Sequence, residues 1–218
     1  MSMVISYRRR LNLIEKQLRS INAPYISRIS QKKDPFKILV SCILSLRTKD
    51  EVTEKASRNL FKRIKNPSDL LKYKKREIEK MIYPVGFYKR KAKILQEIAR
   101  KIVTHYHQRV PPKEEDLLAF KGVGRKTANL VLGLGFGMPA ICVDTHVHRI
   151  SNRLGWVKTQ YPHQTEDKLK RIIPRSLWVK LNTILVAFGR NICVPVSPWC
   201  SKCWINKYCK KRGVRRNR

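Results

Sequence analysis

Four cysteines crowd into residues 193–209, "CVPVSPWCSKCWINKYC", and they limit the folds open to this chain more than any other feature. Their spacing, C-x6-C-x2-C-x5-C, lets Cys193, Cys200, Cys203 and Cys209 converge on one centre. The start, "MSMVISYRRRLNLIEK", lacks the charge-then-apolar order of a secretory signal, so a reducing, intracellular setting is expected. There a cysteine cluster suggests a metal centre and not a disulfide staple. Four thiolates satisfy a [4Fe–4S] cluster, and they equally satisfy a structural Zn²⁺. Zinc sites usually pair two short knuckles, and this run has one, which favours iron–sulfur slightly. With every ligand position filled, such a centre would be structural and electrostatic. Cys42 and Cys142 stand apart in apolar surroundings ("ILVSCILSL", "MPAICVD"), where buried free thiols are common.

Charge narrows the partner. Forty-nine Lys+Arg face 15 Asp+Glu, a formal net charge of +34, so a long anionic partner is the first expectation. Nucleic acid fits best, because its phosphates repeat along a surface long enough to use many cations. A membrane partner is disfavoured, since no uninterrupted apolar stretch reaches the roughly twenty residues a span needs. Lys202, Lys207, Lys210, Lys211 and Arg212 surround the cysteines, and "KKRGVRRNR" reads as a basic tail that stays flexible until it meets phosphate.

Apolar residues recur at helical spacing throughout. Leu11, Ile14, Leu18 and Ile21 mark one face of an amphipathic first helix. "DPFKILVSCILSL" begins with Asp34 as N-cap and Pro35 at the first helical position, and is apolar nearly all round, which predicts a buried central helix. "KDEVTEKASRNLFKRI" follows, with Asp50 as its expected cap and Val52, Ala56, Leu60 and Ile64 on one side. A further helix runs over 91–106 through Leu95, Ile98 and Ile102, ended by Pro111-Pro112, and others are expected over 114–120, 125–135, 145–154, 165–173 and 176–189. No segment alternates with period two, so the fold is predicted to be all-α. "PVGFYKRKAKIL" (84–95) echoes "GVGRKTANLVL" (122–132), which suggests two helix–hairpin–helix units, the second better formed because Gly122 and Gly124 both relieve the backbone.

The second of these carries chemistry. A Gly-x-Gly turn ahead of a helix aims backbone N–H groups outward, where the helix dipole also favours an anion, and Arg125 would reinforce the grip. Alone, that three-residue pattern is weak. Lys126 adds weight: it lies in the first turn of a helix with an apolar following face (Leu130, Val131, Leu134), so partial burial is expected. A neutral lysine amine is a nucleophile able to form a Schiff base with a sugar carbon; a phosphate-binding lysine is the plainer reading. Asp144, in "ICVDTHVHRI", follows an apolar run and precedes Thr145. It suits a helix N-cap, and equally a carboxylate that stabilises positive charge on a sugar ring or assists proton transfer. His146 and His148 lack a partner ligand at metal spacing.

Hairpin, lysine, an aspartate eighteen residues later and the cysteine run together resemble the endonuclease III family of DNA glycosylases. "GVGRKTAN", "VDTH" and the full cysteine run carry the resemblance, which extends from about residue 10 to the last cysteine. It implies a two-lobed, all-α, helix–hairpin–helix glycosylase. A six-helix barrel lobe would take residues 28–138, including the helix–hairpin–helix at about 115–135. Residues 1–27 plus 139–218 would form the iron–sulfur lobe with its basic tail, with DNA crossing the cleft. It further implies excision of oxidised pyrimidines from flipped-out nucleotides in duplex DNA, with Lys126 as the nucleophile that attacks C1′ and β-elimination then cutting the strand. By resemblance Asp144 is the catalytic aspartate, His146 lies near the pocket, and Cys193, Cys200, Cys203 and Cys209 hold a [4Fe–4S] cluster. Gly122, Val123, Gly124 and Arg125 would contact the DNA backbone. The expected partner is double-stranded DNA carrying damaged bases or abasic sites, met by a monomer associated with the nucleoid.

Two positions depart from the family's best-known members. Arg47, in "LSLRTKD", stands where they have a glutamine thought to fill the gap left by the flipped base; Phe87, in "GFYKRKA", stands where a leucine wedge is familiar. Arginine can still fill that gap, and an aromatic wedge can stack between bases. Both differences bear on substrate range. Two other readings fit the same residues: a uracil or thymine glycosylase directed at mismatches, against which Lys126 argues, and a non-enzymatic DNA-binding module stabilised by zinc.

Overall fold

Residues 2–19 and 33–218 are described in the computed structural model of the protein. They form helices and connecting turns, with no strand among the described residues, so the fold is all-α. The chain separates into two units. One combines Met1–Pro24 with Pro139–Arg218, and the other is Tyr25–Met138. Residues 28–32 of the expected barrel lobe, and Ile21 of the expected first helical face, lie outside the described residues.

The first unit opens with α1 (Ser2–Gln17). Leu11, Ile14 and Leu18 are buried, and α1 packs on the last long helix of the same unit. Tyr7 meets Trp156 edge-to-face at 5.4 Å, which fixes α1 against the turn after residue 153.

The second unit is built around α2 (Pro35–Ser45). Asp34 caps it by accepting from Lys37 N at 3.0 Å, and Pro35 occupies the first turn, as the sequence predicts. Eight of its eleven residues are buried, from Phe36 to Leu44. Truncating Ile38 or Leu39 to alanine at its centre would cost about 2–5 kcal/mol. Helices α3 (Asp50–Arg63), α4 (Pro67–Leu71), α5 (Lys75–Ile82) and α6 (Tyr88–His105) follow. Lys49, not Asp50, is the N-cap residue of α3. Asp50 instead enters the first turn, where its charge favours the helix dipole. The buried face of α3 is Thr53, Ala56, Ser57 and Leu60, one step round from the expected Val52. Helix α6 stops at His105, short of the proline pair, because His107 and Gln108 take left-handed backbone angles.

Helix α7 (Glu114–Leu118) leads through a tight turn into α8 (Arg125–Leu130). The apolar run expected to continue α8 as one helix widens into a π-helical turn, Val131–Gly135. There Gly135 lies so close to Pro35 that an added Cβ would sit 3.0 Å from its Cα, and the missing side chain lets the two backbones pass.

Back in the first unit, α9 (Thr145–Arg153), α10 (Pro162–Ile172) and α11 (Trp178–Asn191) enclose a core that includes Val147, Ile150, Leu169, Leu181, Leu185 and Phe188. The basic C-terminal residues do not hang free. Arg218 N donates to Pro198 O at 2.8 Å, Ser201 N donates to Arg218 O at 2.9 Å, and the Arg218 guanidinium lies 3.8 Å from the centre of the Trp199 ring. An aromatic face and two main-chain bonds tie the end of the chain to the cysteine loop, against the expectation of a flexible tail.

Candidate active site and cysteine site

The helix–hairpin–helix is made by α7, residues 119–124 and α8. Val123 N donates to Phe120 O at 3.0 Å, closing the turn. Phe120 is buried and meets Tyr106 edge-to-face at 5.8 Å, so the hairpin is anchored on α6. Gly122 takes φ +80, a left-handed angle that a Cβ would strain, and that Cβ would also press on Ile94 at 3.3 Å. Gly124 behaves differently from the expectation: its φ is −106 and it is the N-cap of α8, with open space where a Cβ would go. Only one of the two glycines is required by its backbone angle. The other leaves the surface bare.

Gly122, Gly124, Arg125 and Lys126 are exposed, and Val123 is buried. Lys126 was expected to be partly buried. The buried positions of α8 are Thr127, Ala128 and Asn129, which turns Lys126 outward. Its charge still reaches the interior: burial pushes the Cys42 thiol up to about 12, and the Lys126 ammonium works against that rise.

Arg47 and Phe87 come together. The Arg47 guanidinium lies 5.3 Å from the centre of the Phe87 ring. Both residues hold left-handed angles (φ 52 and 57), unusual for side chains of their size. Phe87 is 60% exposed, at the N-terminus of α6. Beneath them Gly86 touches the other loop: a Cβ there would lie 2.7 Å from Arg47 O, and Gly86 N donates to Thr48 Oγ1 at 3.2 Å. The sequence echo between the two Val-Gly turns therefore hides a difference, since the left-handed residue is Phe87 in one and Gly122 in the other.

Asp144 is the N-cap of α9. Its Oδ1 accepts from His146 N and Val147 N, both at 2.9 Å, which fixes the carboxylate at the helix start. His146 Nδ1 lies 3.2 Å from Arg149 Nη2, and Arg149 also donates to Gly189 O at 3.1 Å and Cys193 O at 2.9 Å. Gly189 is small for cause: a Cβ would sit 2.5 Å from His146 Nδ1. His148 is held by Thr165, Nδ1 to Oγ1 at 2.6 Å, and burial pushes its pKa down. Asp144 and His146 belong to the first unit, and Lys126, Arg47 and Phe87 to the second.

Cys193, Cys200, Cys203 and Cys209 line one small cavity with Arg153, Leu154, Phe188 and Val214. Arg153, 7% exposed, shapes this loop. It donates to Val194 O at 2.7 Å and Pro195 O at 2.6 Å, with Nη1 3.5 Å from Cys193 Sγ. Lys211 N donates to Cys209 Sγ at 3.3 Å. Burial pushes the Cys203 thiol up to about 11, and the three neighbouring cysteines push the same way.

A family model described as HhH-GPD superfamily base excision DNA repair protein matches residues 40–175. The endonuclease III of Thermotoga maritima is 47% identical over 204 residues, 92% of this chain and 95% of that protein. The chain belongs to the endonuclease III family of the HhH-GPD superfamily. Among solved structures, a trapped endonuclease III–DNA covalent intermediate with an estranged adenine matches with a TM-score of 0.83 at 32% identity, covering 94% of this chain and 95% of that one. A thermostable thymine-DNA glycosylase matches with a TM-score of 0.82 at 29% identity, covering 92% and 94%. Membership in this family makes the protein a base excision repair DNA glycosylase. No helix among the described residues is long and apolar enough to cross a membrane.

The cluster expected by resemblance to endonuclease III meets a suitable donor set. Among the described residues no three His, Cys, Asp or Glu side chains are gathered for a single metal ion. The four thiols line one shared cavity, a donor set of the kind a [4Fe–4S] cluster would need. Reading the sequence missed three residues that organise these sites: Lys91, Arg149 and Arg153. Lys91 leaves a signal, because it falls four residues before Leu95 on the apolar face of α6. Arg149 and Arg153 sit one turn apart on α9, but nothing in sequence ties them to cysteines some forty residues on.

Proposed function

We propose that this glycosylase is bifunctional, removing oxidised pyrimidines from duplex DNA and cutting the abasic strand through a Schiff base on Lys126. One observation carries the reading: an exposed lysine in the first turn of α8, directly behind the hairpin, in a chain that overlays a covalently trapped endonuclease III–DNA intermediate. In the reaction the Lys126 amine attacks C1′, the bond from C1′ to the base breaks, and the base leaves with a proton. The sugar ring opens to an imine between C1′ and Nζ. Loss of a C2′ proton then breaks the C3′–O bond and cuts the strand on the 3′ side, and water releases Lys126. Asp144, oriented by two backbone N–H groups, stabilises the positive charge that grows on the sugar and moves protons between steps. His146 lies beside it on α9, positioned by Arg149.

Gly122, Val123, Gly124 and Arg125 hold the DNA backbone, the glycines by close approach and Arg125 by charge. Arg47 and Phe87 act where the damaged nucleotide leaves the stack, Phe87 as the wedge and Arg47 towards the orphaned base. Cys193, Cys200, Cys203 and Cys209 hold a [4Fe–4S] cluster that, when bound, ties the basic cysteine loop into one rigid surface. The barrel lobe is read as residues 28–138 and the cluster lobe as 1–27 plus 139–218. The enzyme works as a monomer on double-stranded DNA with damaged bases or abasic sites, within the cell at the nucleoid.

The test is a single-turnover assay on duplexes carrying thymine glycol, a G·T mispair or a preformed abasic site. Thymine glycol excision with a β-eliminated 3′ end is expected. Excision confined to the G·T mispair would replace this reading with a mismatch-directed one, and base loss without cleavage at the abasic site would remove the lyase.

A further inference from the structure

Lys91 is a charged residue buried where no catalytic step uses it. It is 5% exposed, and its ammonium donates to Leu44 O at 2.8 Å, Leu46 O at 2.5 Å and Thr48 Oγ1 at 3.0 Å. Three donors meet three acceptors. Leu44 lies in the last turn of α2, where carbonyls lack a helical partner and the dipole favours a cation. Leu46 and Thr48 flank Arg47, which holds its left-handed angle between them. Lys91 itself sits four residues after Phe87, in the first turn of α6, and its N–H donates to Phe87 O at 3.0 Å.

One residue thus joins both halves of the exposed pair. Its main chain is bonded to the residue that presents the aromatic ring, and its side chain clamps the loop that presents the guanidinium. Thr48 closes the circuit by also accepting from Gly86 N. Strained angles persist only where the surroundings over-determine them, and here they do so through Lys91. Burial pulls the Lys91 pKa down to about 8, which still leaves it an ammonium with three N–H donors at neutral pH.

We propose that Lys91 is a positioning residue that pre-forms the Arg47–Phe87 pair, so that the pair enters the DNA stack as one rigid element. This rests on the wedge role proposed above for that pair. Pre-forming the element removes the ordering cost that two flexible loops would meet on binding. The consequence is specific: Lys91 matters to nucleotide extrusion only through Arg47 and Phe87.

A mutant cycle on the full-length, cluster-loaded protein tests this. Single-turnover excision of thymine glycol is measured for Lys91→Met, for the Arg47→Ala/Phe87→Ala pair, and for all three together, with circular dichroism to check folding. Fluorescence of 2-aminopurine opposite a tetrahydrofuran abasic analogue reports entry into the stack. Lys91→Met is expected to slow excision about tenfold, the loss of hydrogen bonds from a charged donor, and to blunt the 2-aminopurine signal. In the Arg47→Ala/Phe87→Ala background it should add no more than about twofold. An additive loss there would overturn the proposal and leave Lys91 a general support of the fold. No loss from Lys91→Met, with a clear loss from the pair, would overturn it while keeping the wedge. No loss from the pair would remove the wedge reading and this inference with it. Should Lys91→Met fail to fold, Thr48→Val removes one of the three acceptors and goes through the same cycle, with the same outcomes.

Discussion

The two Val-Gly turns of the second unit share a sequence pattern and differ in what they present. At residues 120–124 the left-handed position is Gly122, Gly124 has no neighbour within 4 Å of a Cβ, and Arg125 and Lys126 stand exposed beyond. At residues 84–88 the left-handed position is Phe87, and Gly86 is pressed against Arg47 O. The first turn clears side chains away so that a backbone can approach. The second spends a strained angle to project one aromatic ring. A glycine that looks equivalent in sequence thus serves an outward approach in one turn and an inward contact in the other.

Substitutions at these glycines and at Phe87 separate the two designs. Gly86→Ala sets a methyl group 2.7 Å from a backbone oxygen, which cannot swing away as a side chain could. It should cost about 2–3 kcal/mol of stability, read by denaturant unfolding, and lower lesion excision as well. Gly122→Ala meets a left-handed angle and a movable Ile94 methyl, so a loss of about 1–2 kcal/mol is expected. Phe87→Gly relieves strain but loosens the unfolded chain; the two effects offset to within about 1 kcal/mol. Excision of thymine glycol should nevertheless fall, since the ring is gone. A stability-neutral variant with unimpaired excision would break the contrast between the turns. Gly124→Ala meets no clash, and its cost is that of a poorer N-cap, about 0.5–1 kcal/mol. It should still weaken duplex binding in an anisotropy titration, because the methyl group fills the space left for a phosphate.

A fainter effect concerns the support beneath Phe87. The folded Lys91 pKa, about 8, lies below its ordinary 10.5, so between those values the unfolded chain holds a proton that the folded one lacks. Stability from this group therefore grows as pH rises from about 8 towards 10.5 and is lost as pH falls back through 8. Thermal melts across that window should show the rise in the intact protein and a smaller one in Lys91→Met.

Much of this was legible beforehand for physical reasons. Asp34 and Pro35 mark the start of α2 by local chemistry alone, and the period of Leu11, Ile14 and Leu18 needs only one buried face. The Asp144 cap was legible in the same way, since Ncap bonds reach only two or three residues along the chain. What escaped depends on contacts distant in sequence. Lys91 reads as one more cation in "KRKAK" until α2 ends above it. The π-turn at Val131–Gly135 ends where Gly135 lies against Pro35, one hundred residues earlier, a contact that local sequence does not reveal. The tail was misread because charge alone predicts repulsion, whereas Trp199 offers Arg218 a face to lie on. The apolar residues that follow Lys126 predict its partial burial, and the helix buries Thr127, Ala128 and Asn129 instead.

The central claim is that Lys126 is the nucleophile, and borohydride trapping tests it most directly. A duplex with a single thymine glycol is incubated with the intact protein or with Lys126→Ala under reducing conditions that convert an imine into a stable amine. A covalent protein–DNA adduct with the intact protein, absent with Lys126→Ala, is the predicted result. An adduct of equal yield with Lys126→Ala would assign the nucleophile elsewhere, and no adduct with the intact protein on either thymine glycol or an abasic site would contradict the Schiff-base mechanism altogether.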